Sequence, residues 1–312
     1  MNELKGEIGI MEKKKDVPLF LIEKLNKQYG EEITSKILNG YSQNRVVSLR
    51  VNTIKTTAQE VCRELSINDI EFEKVSFADD ALVIKNTNEE RVKELDIYKN
   101  GYIYLQSLSS MLPPIILNPK ENEDILDMTA APGGKTTQIA ALTNNKANIT
   151  ACEMNNIRIE KLKYNIEKQG ATSVSILKED SRRLNDYFAF DKILLDAPCT
   201  GSGTIELENE KTYNGFTEKL LEKTTNSQLS LLKKALKILK KGHEMVYSTC
   251  SILQEENEDI INKAIKGANV EIVPIEIQED IPKLPCKIKG ALCIAPTKYY
   301  EGFFVAKLKK IK

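Results

Sequence analysis

The amino-acid sequence is poor in the features that mark metal-binding, membrane and secreted proteins. Its 312 residues include one histidine and six cysteines, none in a Cys-x-x-Cys pair, so a zinc site is not expected. No apolar run reaches about 18 residues, and Met1 to Asp16 lacks the apolar stretch of a secretion signal. The 45 basic and 45 acidic residues cancel, which argues against a non-specific polyanion binder. We therefore expect a cytoplasmic protein with reduced thiols.

Two of the six cysteines occupy similar places, each just after a predicted buried strand. Cys199 follows the apolar run 192–195, and Cys250 follows the run 244–247. In an open α/β sheet, ligands bind outside the carboxyl ends of the strands, so we expect both thiols to face one pocket. Free cysteine is commonly a core residue, and we predict structural roles for the other four, Cys62, Cys152, Cys286 and Cys293.

The pattern of predicted elements divides the chain into two units. Residues 1–109 form a small α+β domain, with helices over 18–40 and 57–65 and strands over 46–52 and 72–84. From residue 124, strands alternate with helices, which implies crossover connections and a parallel sheet. We therefore predict a doubly wound α/β domain over residues 110–312. Its strands are predicted at 125–128, 148–152, 173–177, 192–195, 244–247, near 270 and at 302–308, and its long helices at 157–169, 218–240 and 255–266.

A glycine-rich turn, residues 127–136, joins the first strand of this domain to its helix. Such a turn lets backbone N–H groups approach a ligand closely and aims a helix amino terminus at it. One interpretation is a phosphate-binding loop, because Gly134-Lys135-Thr136 matches the end of that pattern. However, Thr129 stands where the pattern needs its first glycine, and Pro132 lacks a backbone donor. The other interpretation is a turn that binds a nucleoside cofactor of the S-adenosylmethionine type.

Two acidic residues favour the nucleoside cofactor. Glu153 ends the second strand, 19 residues after Gly134, where a carboxylate accepts hydrogen bonds from ribose hydroxyls. Asp180 follows the third strand, where it could bind the adenine amino group. A P-loop NTPase explains neither residue. We therefore expect S-adenosylmethionine as the cofactor and keep the P-loop NTPase as the alternative.

A methyl donor combined with two thiols suits methylation of cytosine at carbon 5. That carbon is a poor nucleophile, and addition of a thiolate to carbon 6 makes it reactive. A second thiol, or water, can then assist proton removal and release of the first thiol. A carboxyl near ring nitrogen N3, such as that of Asp196, would stabilise the adduct if it were protonated or shared.

The chain resembles the RsmB/Nop/Sun family of RNA cytosine-5 methyltransferases, in its short prokaryotic form. The most specific match is Asp-Ala-Pro-Cys-Thr-Gly-Ser-Gly at 196–203, combined with Tyr-Ser-Thr-Cys-Ser at 247–251. The other matching stretches are 46–57, 101–113, 127–137, Glu153, 179–180 and the sequence around these motifs, so that the resemblance covers nearly the whole chain. It implies a class I S-adenosylmethionine-dependent methyltransferase fold with a small RRM-like N-terminal domain.

The resemblance also implies a role for each residue of the predicted site. In the family the later cysteine, here Cys250, is the nucleophile, and the earlier one, here Cys199, assists release of the methylated product. Family members bring the lysine of the cofactor turn, Lys135, to the target base together with Asp196. The cofactor contacts that the resemblance implies are Thr129, Ala130, Ala131, Pro132, Gly133, Gly134, Lys135, Glu153, Asp180 and Asp196. Thr129 replaces a frequent cysteine and Glu153 a common aspartate, and both substitutions keep the needed polarity.

RNA is the partner that the resemblance implies, with ribosomal RNA as the first expectation and transfer RNA as the second. A monomer without a metal or membrane partner is the default. An inactive RNA-binding assembly factor is a third hypothesis, disfavoured because every catalytic position is filled. Lysine clusters at 13–15 and 233–241 are expected to be mostly solvated. Arginine offers a planar fork for phosphate, and the candidates are Arg45, Arg50, Arg182 and Arg183.

Overall fold

The structure, a computed structural model, describes residues 17–277 and 281–311. The predicted lysine cluster at 13–15 therefore lies outside the described residues. The first helix, α1, spans Leu19–Tyr41 and bends at Gly30, whose φ of 79° and ψ of 165° are not helical. The sequence predicts a helix over 18–40. The chain kinks at Gly30, resumes its helix and ends it at Tyr41, one residue after Gly40.

A small antiparallel sheet follows α1. Its elements in chain order are β1 (Ser48–Val51), α2 (Ala58–Ile67), β2 (Phe72–Val75), β3 (Ala78–Ile84), α3 (Glu89–Glu94), α4 (Asp96–Lys99) and β4 (Ile103–Leu105). The strands lie in the order β2-β3-β1-β4. Helix α2 begins at a capping box, in which Thr57 and Glu60 each satisfy a backbone N–H of the other. Its apolar side chains Val61 and Leu65 are fully buried against the sheet.

The second part of the chain alternates strands and helices. Its helices are α5 (Leu108–Leu117), α6 (Gly134–Leu142), α7 (Asn156–Gln169), α8 (Glu218–Ile238) and α9 (Glu258–Ile265). Its strands are β5 (Asp124–Asp127), β6 (Asn148–Cys152), β7 (Val174–Leu177), β8 (Phe190–Asp196), β9 (Leu239–Thr249), β10 (Val270–Val273), β11 (Leu292–Ile294) and β12 (Phe303–Lys310). No helix in the described ranges is long and apolar enough to cross a bilayer.

These strands form one sheet in the order β7-β6-β5-β8-β9-β12-β10, with β11 paired to β12. Strands β5 to β9 run parallel, which agrees with the predicted doubly wound domain. The last long strand, β12, runs antiparallel to both β9 and β10. None of the described residues between β10 and β12 is helical. The chain therefore returns to the sheet without the crossover helix that a parallel strand needs.

The sheet brings the ends of three strands together at one edge. Asp127, the last residue of β5, pairs with Leu194 of β8, and Asp196, the last residue of β8, pairs with Ser248 of β9. The segments that follow these strands therefore leave the sheet side by side. They are the predicted cofactor turn and the two cysteine-containing segments.

Helix α1 packs against both cysteine-containing segments. The Tyr29 hydroxyl donates to the carbonyl oxygen of Ile252 at 2.6 Å, and the Tyr41 hydroxyl donates to that of Ser202 at 2.5 Å. Leu21 and Leu25 are fully buried in the same apolar cluster as side chains of the large sheet. The helix that precedes the small domain thus supports the edge of the large one, and a domain boundary near residue 110 stays a prediction.

Two glycines join the Cys199 segment to the start of β12. Gly203 N–H donates to the Cys250 carbonyl at 3.0 Å, and Gly302 N–H donates to the Gly203 carbonyl at 2.8 Å. A Cβ atom on Gly203 would lie 1.8 Å from the Gly302 oxygen, far inside van der Waals contact. A residue larger than glycine therefore cannot enter without moving backbone.

We predict that Gly203→Ala lowers the free energy of unfolding by about 3 kcal/mol, the upper end of typical overpacking costs. Urea unfolding followed by circular dichroism measures the change. Gly215→Ala is the matched control, because a Cβ atom there meets no other group within 4 Å. Equal stability of the two variants would contradict the close contact.

Candidate active site

The two predicted cysteines lie against one another. Cys199 Sγ is 3.0 Å from Cys250 Sγ, and both side chains are partly buried. The hydrogen bond with Cys250 and burial raise the pKa of the Cys199 thiol well above its usual value. Either sulfur could be the donor of the hydrogen bond that joins them. The structure thus places two thiols within hydrogen-bonding distance of one another.

An ion pair lies beside the thiols. Lys135 Nζ is 2.7 Å from Asp196 Oδ2 and also donates to Ser110 Oγ at 2.8 Å. Ser248 Oγ donates to the second carboxylate oxygen of Asp196 at 2.7 Å. Burial alone would lower the pKa of Lys135, but the Asp196 carboxylate outweighs it and the net shift is upward. The Asp196 carboxyl, which the sequence predicts near ring nitrogen N3 of the base, therefore faces an ammonium and a hydroxyl.

The predicted cofactor turn is held at both ends by the neighbouring strands. Thr129 Oγ1 donates to the Asp196 carbonyl at 2.8 Å, and Ala130 N–H donates to the Cys152 carbonyl at 3.0 Å. At the far end Thr136 Oγ1 donates to Asp127 Oδ2 at 2.6 Å. Burial raises the pKa of Asp127 to about 6, and the hydrogen bond from Thr136 opposes that shift. The turn is thus fixed in shape by hydrogen bonds to the ends of β5, β6 and β8.

A cavity of about 730 Å³ opens beside this turn. It is lined by most of the predicted site residues, namely Thr129, Ala130, Ala131, Pro132, Gly134, Lys135, Asp196 and Cys250. Gly133, Glu153, Asp180 and Cys199 are not among the lining residues. Gly133 has a φ of 110°, a conformation that favours glycine and lets the chain turn into α6.

Glu153 and Asp180 are placed at the strand ends that the sequence predicted, but their carboxylates are bound by neighbours. Glu153 Oε1 accepts from the N–H groups of the next two residues, and its Oε2 lies 3.1 Å from Arg158. Asp180 pairs with Arg182 at 2.7 Å, and that side chain lowers the pKa of Asp180. Contact of either carboxylate with a cofactor stays a prediction, since the arginine side chains would have to share or leave them.

Several residues that line the cavity were not predicted as site residues, among them Tyr104, Ser110 and Phe303. Tyr104 and Ser110 come from β4 and α5, and Phe303 begins β12. Lys135 Nζ lies 5.6 Å from the centre of the Phe303 ring, and a Cβ atom on Gly134 would lie 3.0 Å from Tyr104. The segment 101–113 was predicted only as a match to the family, and no local pattern indicated what its side chains contact.

One of the four arginines predicted to contact phosphate is structural. Arg50 is fully buried, and it donates to Gln106 Oε1 at 3.1 Å and to Thr137 Oγ1 at 3.2 Å, so the prediction was wrong for this residue. Arg45 is 13% exposed, lines the cavity and donates to backbone carbonyls of residues 203–205. Its contact with phosphate stays a prediction. Arg182 is held by Asp180, and Arg183 stays an exposed candidate.

The lysines at 233–241 bear out a solvated helix face. Lys234 and Lys237 both pair with Asp186, and Lys240 pairs with Asp191. His243 also lies 3.5 Å from Asp191, which agrees with a structural role for the single histidine. These charges lie toward the start of β8, away from the sheet edge where the cysteines are found.

The residues around the cavity fit a nucleoside cofactor better than a nucleoside triphosphate. The volume of the cavity lies within the range of roughly 300–1,000 Å³ that is usual for small-molecule sites. The turn offers glycine backbone and the first N–H groups of α6, which have no partner within the helix. Lys135, which would bind phosphate in a P-loop, is instead neutralised by Asp196.

The sheet order, the glycine turn and the cavity together define a class I methyltransferase fold. The chain belongs to the RsmB/F methyltransferase family. The family model described as 16S rRNA methyltransferase RsmB/F matches residues 114–309, and a model of the ferredoxin-like domain of RsmF/B-like methyltransferases matches residues 17–89. The predicted family, the fold and the small N-terminal domain are confirmed, and the P-loop alternative is wrong.

Individual relatives agree with this assignment. The chain is 34% identical over 274 residues to ribosomal RNA small subunit methyltransferase F of Shewanella loihica, which covers 85% of this chain. It is 39% identical over 224 residues to the tRNA (cytosine(72)-C(5))-methyltransferase of Pyrococcus horikoshii, which covers 71% of this chain. The alignments span 56% of each relative, so the chain spans little more than half the length of these curated proteins.

One similar solved structure is described with a bound molecule, SFG. The crystal structure of NSun6 from Pyrococcus horikoshii with SFG superposes with a TM-score of 0.84 at 26% identity. The match covers 95% of this chain and 98% of that one. SFG is an analogue of S-adenosylmethionine. For this chain, membership of the methyltransferase family confirms S-adenosylmethionine as the cofactor that the sequence predicted.

Proposed function

We propose that this protein methylates carbon 5 of a cytosine in RNA, with Cys250 as the nucleophile. The observation that carries the proposal is the contact of two thiols, 3.0 Å apart, at the edge of a cavity that the glycine turn also lines. A cysteine that only fills space in the core does not need a second cysteine in contact with it. Two partly buried thiols in contact at adjacent strand ends suit a reaction in which one sulfur must attack and later leave.

Addition to the base is the first step of the proposed reaction. The Cys250 thiolate forms a bond to carbon 6 of the cytosine, and the electron pair of the C5–C6 double bond makes carbon 5 nucleophilic. The Cys199 thiol stabilises the attacking sulfur anion because it donates to that sulfur. S-adenosylmethionine supplies the methyl group that carbon 5 takes up.

Release is the second step. The proton of carbon 5 leaves to water, the C5–C6 double bond re-forms, and the bond between carbon 6 and the Cys250 sulfur breaks. Cys250 departs as a thiolate, and the hydrogen bond from Cys199 again stabilises it. The hydrogen bond stabilises the free thiolate relative to the neutral thioether of the adduct, so loss of Cys199 should slow release more than it slows addition.

The ion pair of Lys135 and Asp196 has a separate role in the proposal. Both side chains line the cavity with Cys250, so they can meet the polar edge of the base that Cys250 attacks. Negative charge spreads to N3 when a thiolate adds to carbon 6, and the Lys135 ammonium can donate a proton or a hydrogen bond there. Asp196 holds that ammonium in place and keeps it charged.

The cofactor is assigned to the turn and its neighbours. Backbone of residues 129–134 and the amino end of α6 would hold the nucleoside, while Tyr104 would cover Gly134 from the small domain. Glu153 and Asp180 would contact the ribose and the adenine, as the resemblance implies. This arrangement leaves the Cys250 side of the cavity for the base.

Ribosomal RNA is the first substrate class to test and transfer RNA the second. One similar protein is named for ribosomal RNA of the small subunit and another for cytosine 72 of transfer RNA. The test incubates the purified protein and methyl-labelled S-adenosylmethionine with each RNA and analyses the digested nucleosides. We expect label in 5-methylcytosine from one of the two. Label in another nucleoside would overturn the proposal, as would none from either RNA by a protein that binds the cofactor.

A further inference from the structure

A buried carboxylate lies directly behind the Cys199 segment. Glu256 has no exposed surface, and no ion pair between described residues includes it. Its oxygens accept hydrogen bonds from the Thr200 N–H at 2.9 Å, the Thr224 hydroxyl at 2.7 Å and Gln228 Nε2 at 3.0 Å. The Thr200 hydroxyl donates as well. A charge buried without a counter-ion is costly, so its hydrogen bonds must be well made.

These hydrogen bonds hold the chain on both sides of Cys199. Glu256 binds the residue after the cysteine, and Gln228, which donates to Glu256, also donates to the Pro198 carbonyl at 2.9 Å. Helix α8 supplies both Thr224 and Gln228. The peptide on each side of the Cys199 thiol is thus anchored to the same buried carboxylate.

Glu256 also belongs to the segment that carries the other cysteine. It ends a short 3-10 turn, Gln254–Glu256, six residues after Cys250. Its carbonyl oxygen accepts from the Tyr247 hydroxyl at 2.6 Å, which ties the turn back to β9. One residue therefore connects the Cys250 segment with the Cys199 segment, and its position controls the distance between the two sulfurs.

Glu256 also affects Cys199 through its charge, in addition to the hydrogen bonds that hold the Cys199 segment. The hydrogen bond with Cys250 and burial are the main causes that raise the pKa of Cys199, and the Glu256 carboxylate adds to them. A negative charge behind the thiol disfavours a second sulfur anion beside Cys250. Only a protonated Cys199 can donate to the Cys250 sulfur.

We propose that Glu256 is a positioning residue, whose buried carboxylate holds the Cys199 thiol in its protonated form against Cys250. The inference rests on the proposed function, in which that thiol stabilises the sulfur as it leaves carbon 6. It assigns Glu256 no contact with RNA or with the cofactor.

The first test compares Glu256→Gln with Glu255→Gln in the full chain. Glu255 is the neighbouring residue, 37% exposed and paired with Lys24, so its variant is a matched control. We expect Glu256→Gln to lower kcat about 10- to 100-fold, the size of effect that a small misplacement produces, with KM for RNA little changed. The fraction of RNA caught as a covalent protein adduct should rise, because release slows more than addition. If the adduct fraction and kcat fall in the same proportion, the substitution only destabilises the protein, and the inference is overturned.

The second test needs no RNA. Iodoacetamide alkylates thiolates, so the rate at Cys199 against pH, followed by peptide mass spectrometry, reports how firmly that thiol keeps its proton. We expect the midpoint for Cys199 to shift to lower pH in Glu256→Gln and to stay unchanged in Glu255→Gln. Equal profiles in the two variants would overturn the inference. If the Cys199 profile shifts in Glu256→Gln but the parent protein methylates no RNA, the link between Glu256 and Cys199 is supported and only the proposed function is overturned.

A milder pair of variants serves if Glu256→Gln does not fold. Thr224→Val removes one donor to the carboxylate and keeps the charge, whereas Thr224→Ser keeps the hydroxyl. We expect the valine variant to raise the adduct fraction and the serine variant to behave as the parent protein. The inference fails if the two variants cannot be distinguished by adduct fraction at equal folded concentration.

Discussion

Replacement of Cys250 by alanine should abolish methylation and leave cofactor binding intact. In the proposed reaction the Cys250 sulfur is the atom that bonds to carbon 6, and the described cysteine that hydrogen-bonds to it is Cys199. Loss of a nucleophile removes the reaction path itself, so we expect a fall in kcat of at least about 10³-fold. The rate of methyl transfer to RNA measures the loss. The affinity for S-adenosylmethionine, measured by titration calorimetry, should match that of the parent protein.

The matched control is Cys62→Ala. Cys62 lies on α2 of the small domain, only partly buried, and does not line the cavity. We expect this variant to keep parental activity. Near-parental methylation by Cys250→Ala would show that another group attacks the base and would remove the central step of the proposal.

The Cys199→Ala variant should accumulate a covalent complex between protein and RNA. Addition through Cys250 still proceeds, whereas the departing sulfur loses the hydrogen bond that now reaches it over 3.0 Å. Denaturing gels of a reaction with a confirmed substrate RNA measure the complex, which should survive heating in detergent. We expect it to hold most of the protein when RNA is in excess, against a trace for the parent.

A double variant supplies the control for this result. Cys199→Ala combined with Cys250→Ala should give no complex, because no nucleophile remains. If Cys199→Ala turns over at the parental rate without any complex, Cys199 has no part in release. A complex in the double variant would mean that another side chain is the nucleophile.

Much of this site follows from the order of strands along the chain. Cys199 and Cys250 each come just after an apolar run, and the carboxyl ends of parallel strands meet at one edge. That rule alone predicts that the two thiols lie together beside the turn after β5, and they do, although only Cys250 lines the cavity. Local sequence was sufficient here, because each residue's position depends on its own strand and on the direction in which the strands run.

Other parts of the site depend on contacts that no local pattern encodes. Tyr104 reaches Gly134 from a different sheet, and Glu256 approaches Cys199 from beyond β9. Helix α5 contains Pro113 and Pro114, which normally disfavour a helix interior, so periodicity did not predict it. The sequence alone predicts that Arg50 contacts phosphate. Its burial depends on the packing of two domains against one another, which no local pattern indicates.

The burial of Arg50 makes the two domains interdependent. The guanidinium leaves β1 of the small sheet and ends on Gln106 and on Thr137, one turn into the helix that follows the glycine turn. Gln106 in turn donates to Gln138 on that helix. A fragment that began near residue 110 would lack Arg50 and Gln106, so Thr137 and Gln138 would lose these hydrogen-bond partners. In an isolated small sheet, the Arg50 guanidinium would be exposed to solvent. Changes in the small sheet are therefore constrained by the geometry of the helix that follows the glycine turn.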